Sequence, residues 1–466
     1  MKTKILTLSL LHLFFIFLVK AQTAPAQIAD SLQAILDASL PNTFSKPGAV
    51  MGVVVPGQWS WYGATGKAIA GITAGQPLST ATPTTQFRVG SITKTMVATA
   101  ILQLEQAGLL SIEDPINLYL RPTLIADTIA PSDTLRIRHL LNHTSGIANS
   151  GDNTACQTAV LANPLASHTL EYAIYCGASQ GELFAPGTNW AYSNTNYSIL
   201  ALIIQNITGQ SYADYITQNI ITPLGLTHTQ IPTTNQISNP HMGCYWNIGY
   251  WLDLTIINPS TYAGWADVVS TTEDLILFQT ALLNGNIIDS TELAKMKTID
   301  AAAYGYGLGL DFYTITGIDY YGHYGEVANT SGMFFADVHS SLAPNGYYIA
   351  YNYNTQGVDM QNLLDVPVFQ LLNTPFPVGI EQQNNPNKIS ITPMPAKDNC
   401  TITINSNANN LQLNIVDMQG QVVYTSTIKA QTHNIPLNVS LFNKGIYIVQ
   451  LINENTHYTQ KLIVEY

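Results

Sequence analysis

The chain has 466 residues, 46% of them hydrophobic and only 10% charged, with a formal net charge of −12. That length exceeds one ordinary hydrophobic core, so two or more domains are expected. An acidic, charge-poor chain offers no basic surface for phosphates, which excludes nucleic acid as a natural partner.

The opening MKTKILTLSLLHLFFIFLVKAQ places two lysines ahead of an apolar run from Ile5 to Val19, followed by the small residue Ala21. It reads as a secretory signal peptide over residues 1–21, cut after Ala21. The run is shorter than the roughly 20 residues a spanning helix needs, and no later stretch is long enough. The mature protein is therefore expected to be soluble, exported and without a transmembrane segment. Of the four cysteines, Cys156 and Cys176 flank one loop-like insertion and are the candidate pair for a bridge, which export would permit. The cysteines show no metal-binding spacing.

Residues 22–377 alternate amphipathic helical stretches with β-like runs such as GAVMGVVV and GYYIAYNYN, and read as one catalytic-sized domain. Within it, SITKTMVATAILQLEQAG sets Ile92, Met96, Val97, Ala100, Ile101 and Leu104 at helical spacing, with Gly108 as a stop. Ser91 stands at the start of this predicted helix. Lys94, three positions on, shares its face and can reach the Ser91 hydroxyl. A serine is a weak nucleophile until a base takes its proton, and a lysine serves as that base only when desolvation or another cation lowers its pKa. The same spacing recurs at Ser426 and Lys429. That stretch has period two, so the two side chains point to opposite faces of a sheet and cannot cooperate.

Two further stretches supply polar partners. Tyr192, Ser193 and Asn194 follow the Pro186-Gly187 turn and precede an apolar helix; His323, Tyr324 and Gly325 lie beside a β-like run. Cys176–Glu182, CGASQGE, imitates a G-x-S-x-G nucleophile elbow. Pro186 and Gly187 leave no room for the helix such an elbow needs, so a surface loop is expected. His139 and His143 have zinc-compatible spacing without the glutamate of a metalloprotease motif, so a structural role anchoring the Gly146 turn is expected and no metal site is assigned. The aromatic stretch GCYWNIGYWLDL either lines a substrate pocket or packs a loop, and Trp265 is a candidate wall of the cleft.

Ser91-x-x-Lys94, Tyr192-x-Asn194 and His323-x-Gly325, in this order, resemble the class C β-lactamase and penicillin-binding-protein-like family of serine hydrolases. RIRHLLNHTSGI, ITPLGLTHT, VVSTTEDLILFQTALLNG and YGYGLGL are similar to further landmarks of that family. The resemblance implies an α+β fold: an antiparallel sheet flanked by helices beside a mostly helical lobe, with the site between them. It implies Ser91 as acylated nucleophile, Lys94 as its proton acceptor and Tyr192 as general base and acid. Asn194 would contact Lys94 and the substrate amide, and His323 would support proton transfer by Tyr192. Gly325 would let substrate approach the strand, and the amides of Ser91 and Glu326 would form the oxyanion hole. No cofactor is implied.

The expected reaction is acylation and deacylation of Ser91 on an ester or amide, as in an esterase, a D-alanyl-D-alanine carboxypeptidase or a β-lactamase. An inactive scaffold or binding protein at the cell surface is the alternative. His323 is mostly neutral at pH 7, and Glu326 adds negative charge if its side chain faces the cleft. Carboxylate-bearing substrates are therefore disfavoured, and β-lactams are the least favoured version.

VGIEQQNNPNK contributes a linker at 378–388. From 389 to 466, short alternating runs separated by Asn, Gly and Asp turns read as a small all-β, immunoglobulin-like sandwich. ITPMPAKDNCTITI, KGIYIVQL and QKLIVEY resemble the C-terminal sorting domain of the type IX secretion system of Bacteroidetes. That resemblance implies the secretion machinery as a partner, an extracellular or surface-attached product, and removal of the tail.

Overall fold

A computed structural model of the chain describes residues 22–465 except 42–43, 74, 121–128, 130–132, 239, 316, 374–388, 405–410, 418–420, 430–433 and 454–455. The expected signal peptide and linker lie outside the described residues.

The catalytic-sized segment is built on one sheet. It opens with β1 (Gln22–Thr23), β2 (Gly48–Val55), β3 (Trp59–Ile69) and the short β4 (Ser79–Thr80). Two small pairings follow: β5 (Phe87–Arg88) with β8 (Val269–Ser270), and β6 (Tyr245–Asn247) with β7 (Trp251–Asp253). The sheet is completed by β9 (Asp311–Ile315), β10 (Ile318–Glu326), β11 (Thr330–Ala336) and β12 (Tyr347–Tyr353). Its order is β1-β3-β2-β12-β11-β10-β9, with β4 added to β3. All neighbours are antiparallel except β1 with β3.

Residue alternation explains why β2 is a continuous apolar run rather than an amphipathic one. Val50 points into a core shared with α2 (Thr93–Gln106), α3 (Asn194–Thr208) and α4 (Thr272–Leu283). Ala49, Met51 and Val53 point into a second core with α1 (Ala26–Ala38) and α5 (Val366–Asn373). Successive strand residues face opposite sides, so a strand covered on both must be apolar throughout. Truncating Met51 to alanine in such a core costs about 2–5 kcal/mol.

The helix carrying the first motif is enclosed all round. Thr93 to Leu102 and Leu104 are buried, so its polar side chains need internal partners. Thr95 Oγ1 donates to the Gly309 carbonyl at 2.8 Å and Thr99 Oγ1 to the Thr95 carbonyl at 2.7 Å.

The C-terminal segment forms two sheets, Ile389–Thr392/Asn399–Ile404/Asn434–Asn438 and Val422–Ile428/Leu411–Val416/Gly445–Asn453/Thr456–Val464. Ile402 and Leu437 from one share a core with Leu413, Val449 and Leu462 from the other, which is sandwich packing. Ser426 lies in a strand of this sandwich and Lys429 just past its end.

On the far side of the main sheet, Asp365 is fully buried and its Oδ2 accepts hydrogen bonds from Tyr324 (2.8 Å), Tyr351 (3.1 Å) and Tyr313 (3.4 Å). These bonds tie the turn that ends in Asp365 to the sheet. Burial pushes the carboxyl up from 3.8 to about 7, although the tyrosine bonds oppose the shift. The folded state thus holds this proton more tightly than the unfolded chain does. Its contribution to stability is full below pH 3.8 and is lost as pH rises through 7. Asp365→Asn is expected to lose less melting temperature than the wild type between about pH 5 and about pH 8. Parallel curves would show that Asp365 is ionised in the core.

Candidate active site

Ser91 lies in a 3-10 turn, Gly90–Ile92, that runs directly into α2 at Thr93, so Lys94 falls in the first turn of the helix. Gly90 has φ +60°, and a Cβ built there would lie 2.5 Å from Glu326 N. Only glycine lets this turn approach the end of β10 so closely. At Gly325 a Cβ would lie 2.0 Å from the Val89 carbonyl oxygen. Gly325 thus permits a close approach of the chain's own nucleophile turn to the end of β10.

Lys94 Nζ stands 2.9 Å from Ser91 Oγ and donates to the Trp265 carbonyl at 3.0 Å. It lies 4.9 Å from the ring centre of Tyr192, 5.3 Å from that of Trp265 and 5.6 Å from that of Tyr197. Desolvation drives its pKa well below the ordinary range, and the buried carboxylate of Asp267 offsets this only in part. Burial therefore favours the neutral amine beside the hydroxyl. Tyr192 precedes α3 and hydrogen-bonds to Ser91; burial raises its pKa far above 10, so it holds its proton.

Asn194 begins α3, but it does not take the expected place against Lys94. Its Oδ1 is buried without a hydrogen-bond partner, and Nζ is committed to Ser91 and the Trp265 carbonyl. His323 also sits differently from the expectation. Its Nδ1 meets the Tyr324 carbonyl, which can only accept, so that nitrogen carries the proton. Nε2 then accepts from Tyr306 Oη at 2.7 Å, and the partner of His323 is Tyr306 rather than Tyr192. Desolvation pushes the imidazole down to about 3, so it is neutral near pH 7. Tyr306 lies in the YGYGLGL stretch, where no spacing marked it as a partner of His323.

His143 anchors the tyrosine loop rather than only the Gly146 turn. Its backbone adopts φ 62°, its Nδ1 accepts from Ser193 N at 3.1 Å, and its ring centre lies 4.3 Å from that of Tyr192. His139 instead accepts from Arg136 N at 3.2 Å, so the two histidines do not act as a pair. Ser179 of the elbow-like stretch ends a helix, Leu170–Ala178, and is not set between a strand and a helix.

The cleft around Ser91, Tyr192 and His323 is also lined by Asp311, Glu326 and Asp359, and among the described residues that line it there is no lysine or arginine, Lys94 standing behind Ser91. Glu326 is exposed and accepts from Gly357 N at 2.8 Å. Asp311 is pushed up to about 6 by burial. Neither Asp311 nor Asp359 belongs to a motif, but Asp311 directly follows YGYGLGL.

A sheet with flanking helices, and a serine, a desolvated lysine and a tyrosine meeting at one helix start, define a serine hydrolase with the β-lactamase-like fold. Residues 38–366 match the beta-lactamase family model, and the chain belongs to that family of serine hydrolases. It is 29% identical over 298 residues to the PbpX protein of Bacillus subtilis (strain 168), covering 62% of this chain and 68% of that one. It is 32% identical over 201 residues to protein flp of Staphylococcus aureus (strain NCTC 8325 / PS 47), covering 42% of this chain and only 38% of that one. A D-stereospecific amidohydrolase from Streptomyces sp. superposes with a TM-score of 0.64 at 27% identity, covering 72% of this chain and 98% of that one. Residues 390–465 match a secretion system C-terminal sorting domain, which directs the protein to the cell surface or the extracellular space. Among the described residues no helix is long and apolar enough to cross a membrane.

Gly90→Ala should destabilise the fold by about 1–3 kcal/mol, because it combines a left-handed φ with a backbone clash. It should also slow labelling of Ser91 by a fluorophosphonate by about tenfold or more. Unchanged labelling and melting would mean that the nucleophile turn does not depend on its approach to Glu326.

Proposed function

We propose that this protein is an exported serine amidohydrolase acting on amides and esters whose acyl group carries a free cationic amine, such as amides of D-amino acids. The observation that carries the reading is the charge of the cleft. Ser91 opens onto Asp311, Glu326 and Asp359, with a neutral histidine where a cation would be needed to hold a carboxylate. An ammonium group is attracted to that surface, and the carboxylate of a penicillin or of a peptide ending in D-alanine is repelled. The similarity to a D-stereospecific amidohydrolase supports the same substrate class.

In this mechanism neutral Lys94 takes the Ser91 proton as Oγ attacks the scissile carbonyl. The amides of Ser91 and Glu326 receive the developing oxyanion, a pair of donors of which each typically contributes about 100-fold or more to turnover. Tyr192, held as a phenol, donates its proton to the leaving amine and recovers one from Lys94. Water then attacks the acyl-serine, its proton passing to the restored amine of Lys94, which returns it to Ser91 Oγ as the acyl–oxygen bond breaks and the acid leaves. Tyr192 is thus the acid of acylation and Lys94 the base, because burial disfavours phenolate and ammonium alike. The C-terminal sandwich is proposed to engage type IX secretion machinery and to be removed after passage.

Intact-mass spectrometry should find a Ser91-dependent adduct with a fluorophosphonate, none in Ser91→Ala, and little acylation by benzylpenicillin. A stable penicillin adduct would move the assignment to a peptidoglycan peptidase; no adduct with any acyl donor would leave a binding protein. With amino acid amides, kcat/KM should rise as pH passes through about 6, where Asp311 ionises. Any acid limb due to Lys94 is shared with an uncharged ester, so the additional limb should be confined to the cationic substrate and should vanish in Asp311→Asn. An identical acid limb for both substrates in both proteins would remove Asp311 from cation recognition.

A further inference from the structure

A second cavity, of about 270 Å³, lies beside the catalytic cleft and shares Glu326 with it. Its other link to the chemistry is Trp265, whose carbonyl holds Lys94 while its side chain forms part of the cavity wall. The remaining lining is mainly apolar and aromatic: Trp246, Leu254, Ile257 and Tyr262 supply one part of the wall, and Val160 and Leu161 a second part that meets it at Val160. Apolar cavities of about 150 Å³ already accommodate benzene.

The second wall is unusual in how it is held. It is the helix Thr154–Ala162, which has no fully buried residue; Val160, half-buried, packs on the cluster of Leu254 and Ile257. A nine-residue helix with so narrow a buried face is marginal by itself, because helices in proteins depend on tertiary packing. This one is fixed from outside. Cys156 is bridged to Cys176, which is buried in the helix Leu170–Ala178 that packs on the core. Asn153 caps the first helix through the amides of Ala155 and Cys156 and donates to the Cys176 carbonyl at 2.8 Å. The connecting turn is held by Asn258 N, donating to the Pro164 carbonyl at 2.8 Å, and by His168 N, donating to Ser260 Oγ at 2.8 Å. The expected loop-like insertion is thus a pair of helices clipped over a cavity.

We infer that this cavity receives a bulky apolar side chain carried on the acyl group, and that the Cys156–Cys176 bridge sets that preference by holding Val160 and Leu161 against it. The inference rests on the amidohydrolase reading: the amine would meet the carboxylates of the cleft while the side chain enters the cavity past Glu326. The bridge can be addressed selectively, because the other two cysteines, Cys244 and Cys400, are free and buried.

The test is calorimetric binding of phenylalaninamide and alaninamide, as both enantiomers, to the secreted Ser91→Ala protein. In the oxidised protein, phenylalaninamide of the preferred enantiomer should bind at least about tenfold more tightly than alaninamide. Mild reduction should collapse that ratio towards one, and reoxidation should restore it. Val160→Trp, which fills the cavity without touching the bridge, should also abolish the ratio, with near-ultraviolet circular dichroism confirming that it folds. Equal affinities in the oxidised protein, a ratio that survives reduction, or no binding of either amide would overturn the inference. A bridge-dependent binding ratio in Ser91→Ala, combined with no Ser91-dependent turnover by the wild type, would preserve the inference and sink the amidohydrolase reading alone.

Discussion

Lys94 is an amine in a place where an ammonium ion would be costly. Its Nζ is enclosed by the rings of Tyr192, Tyr197 and Trp265, with one hydroxyl and one carbonyl oxygen in reach. Nearly everything else in the catalytic region serves that enclosure. It requires α2 to be buried on all sides, which explains why its threonines are bonded inward. It requires the segment before β8 to bring the Trp265 carbonyl across from a distant part of the chain. It also requires the nucleophile turn to pack against the end of β10, which the absent side chains of Gly90 and Gly325 allow. Desolvation makes the lysine a base, and the same desolvation keeps Tyr192 a phenol, so one physical cause assigns opposite roles to neighbouring groups.

The charges at the mouth of the cleft follow a separate logic. Inside, burial disfavours the charged forms of Lys94, Tyr192 and His323; at the rim, Glu326 and Asp359 stand exposed. His323 belongs to the interior group, since Tyr306 and the Tyr324 carbonyl occupy both its nitrogens. The site therefore presents a neutral catalytic centre under a negative entrance. Passage to an oxidising exterior, directed by the sorting domain, is also the setting in which a bridge between Cys156 and Cys176 persists.

Much of this was legible from local pattern. The SITK match near Ser91 was separable from the one near Ser426 because helical and strand periods place residues three apart on one face or on two. The short alternating runs near the C-terminus marked the all-β sheets found there. What misled was the inference of partners from motif membership. Asn194 and His323 lie in the site, and the ring of His323 faces that of Tyr192, yet neither makes its hydrogen bond to the neighbour the motifs suggest, because a side chain's partner depends on what else reaches it. For His323 that was Tyr306, and for Lys94 it was a main-chain carbonyl that no sequence pattern encodes. The Cys156–Cys176 pairing was visible as spacing, but not the thinly buried helix it pins, since burial depends on neighbours far along the chain.

By itself, the sequence determined the chemistry available: a hydroxyl, an amine and a phenol in fixed order, a chain poor in cations, and a tail built of alternating strands. Those properties reside in residue identity and short-range periodicity. Only the tertiary structure decided the protonation states, the partners of Lys94 and His323, the gathering of Asp311, Glu326 and Asp359 around one serine, and the clipped cavity beside it. These depend on desolvation and on contacts between segments far apart in the chain, and neither exists until the fold has closed.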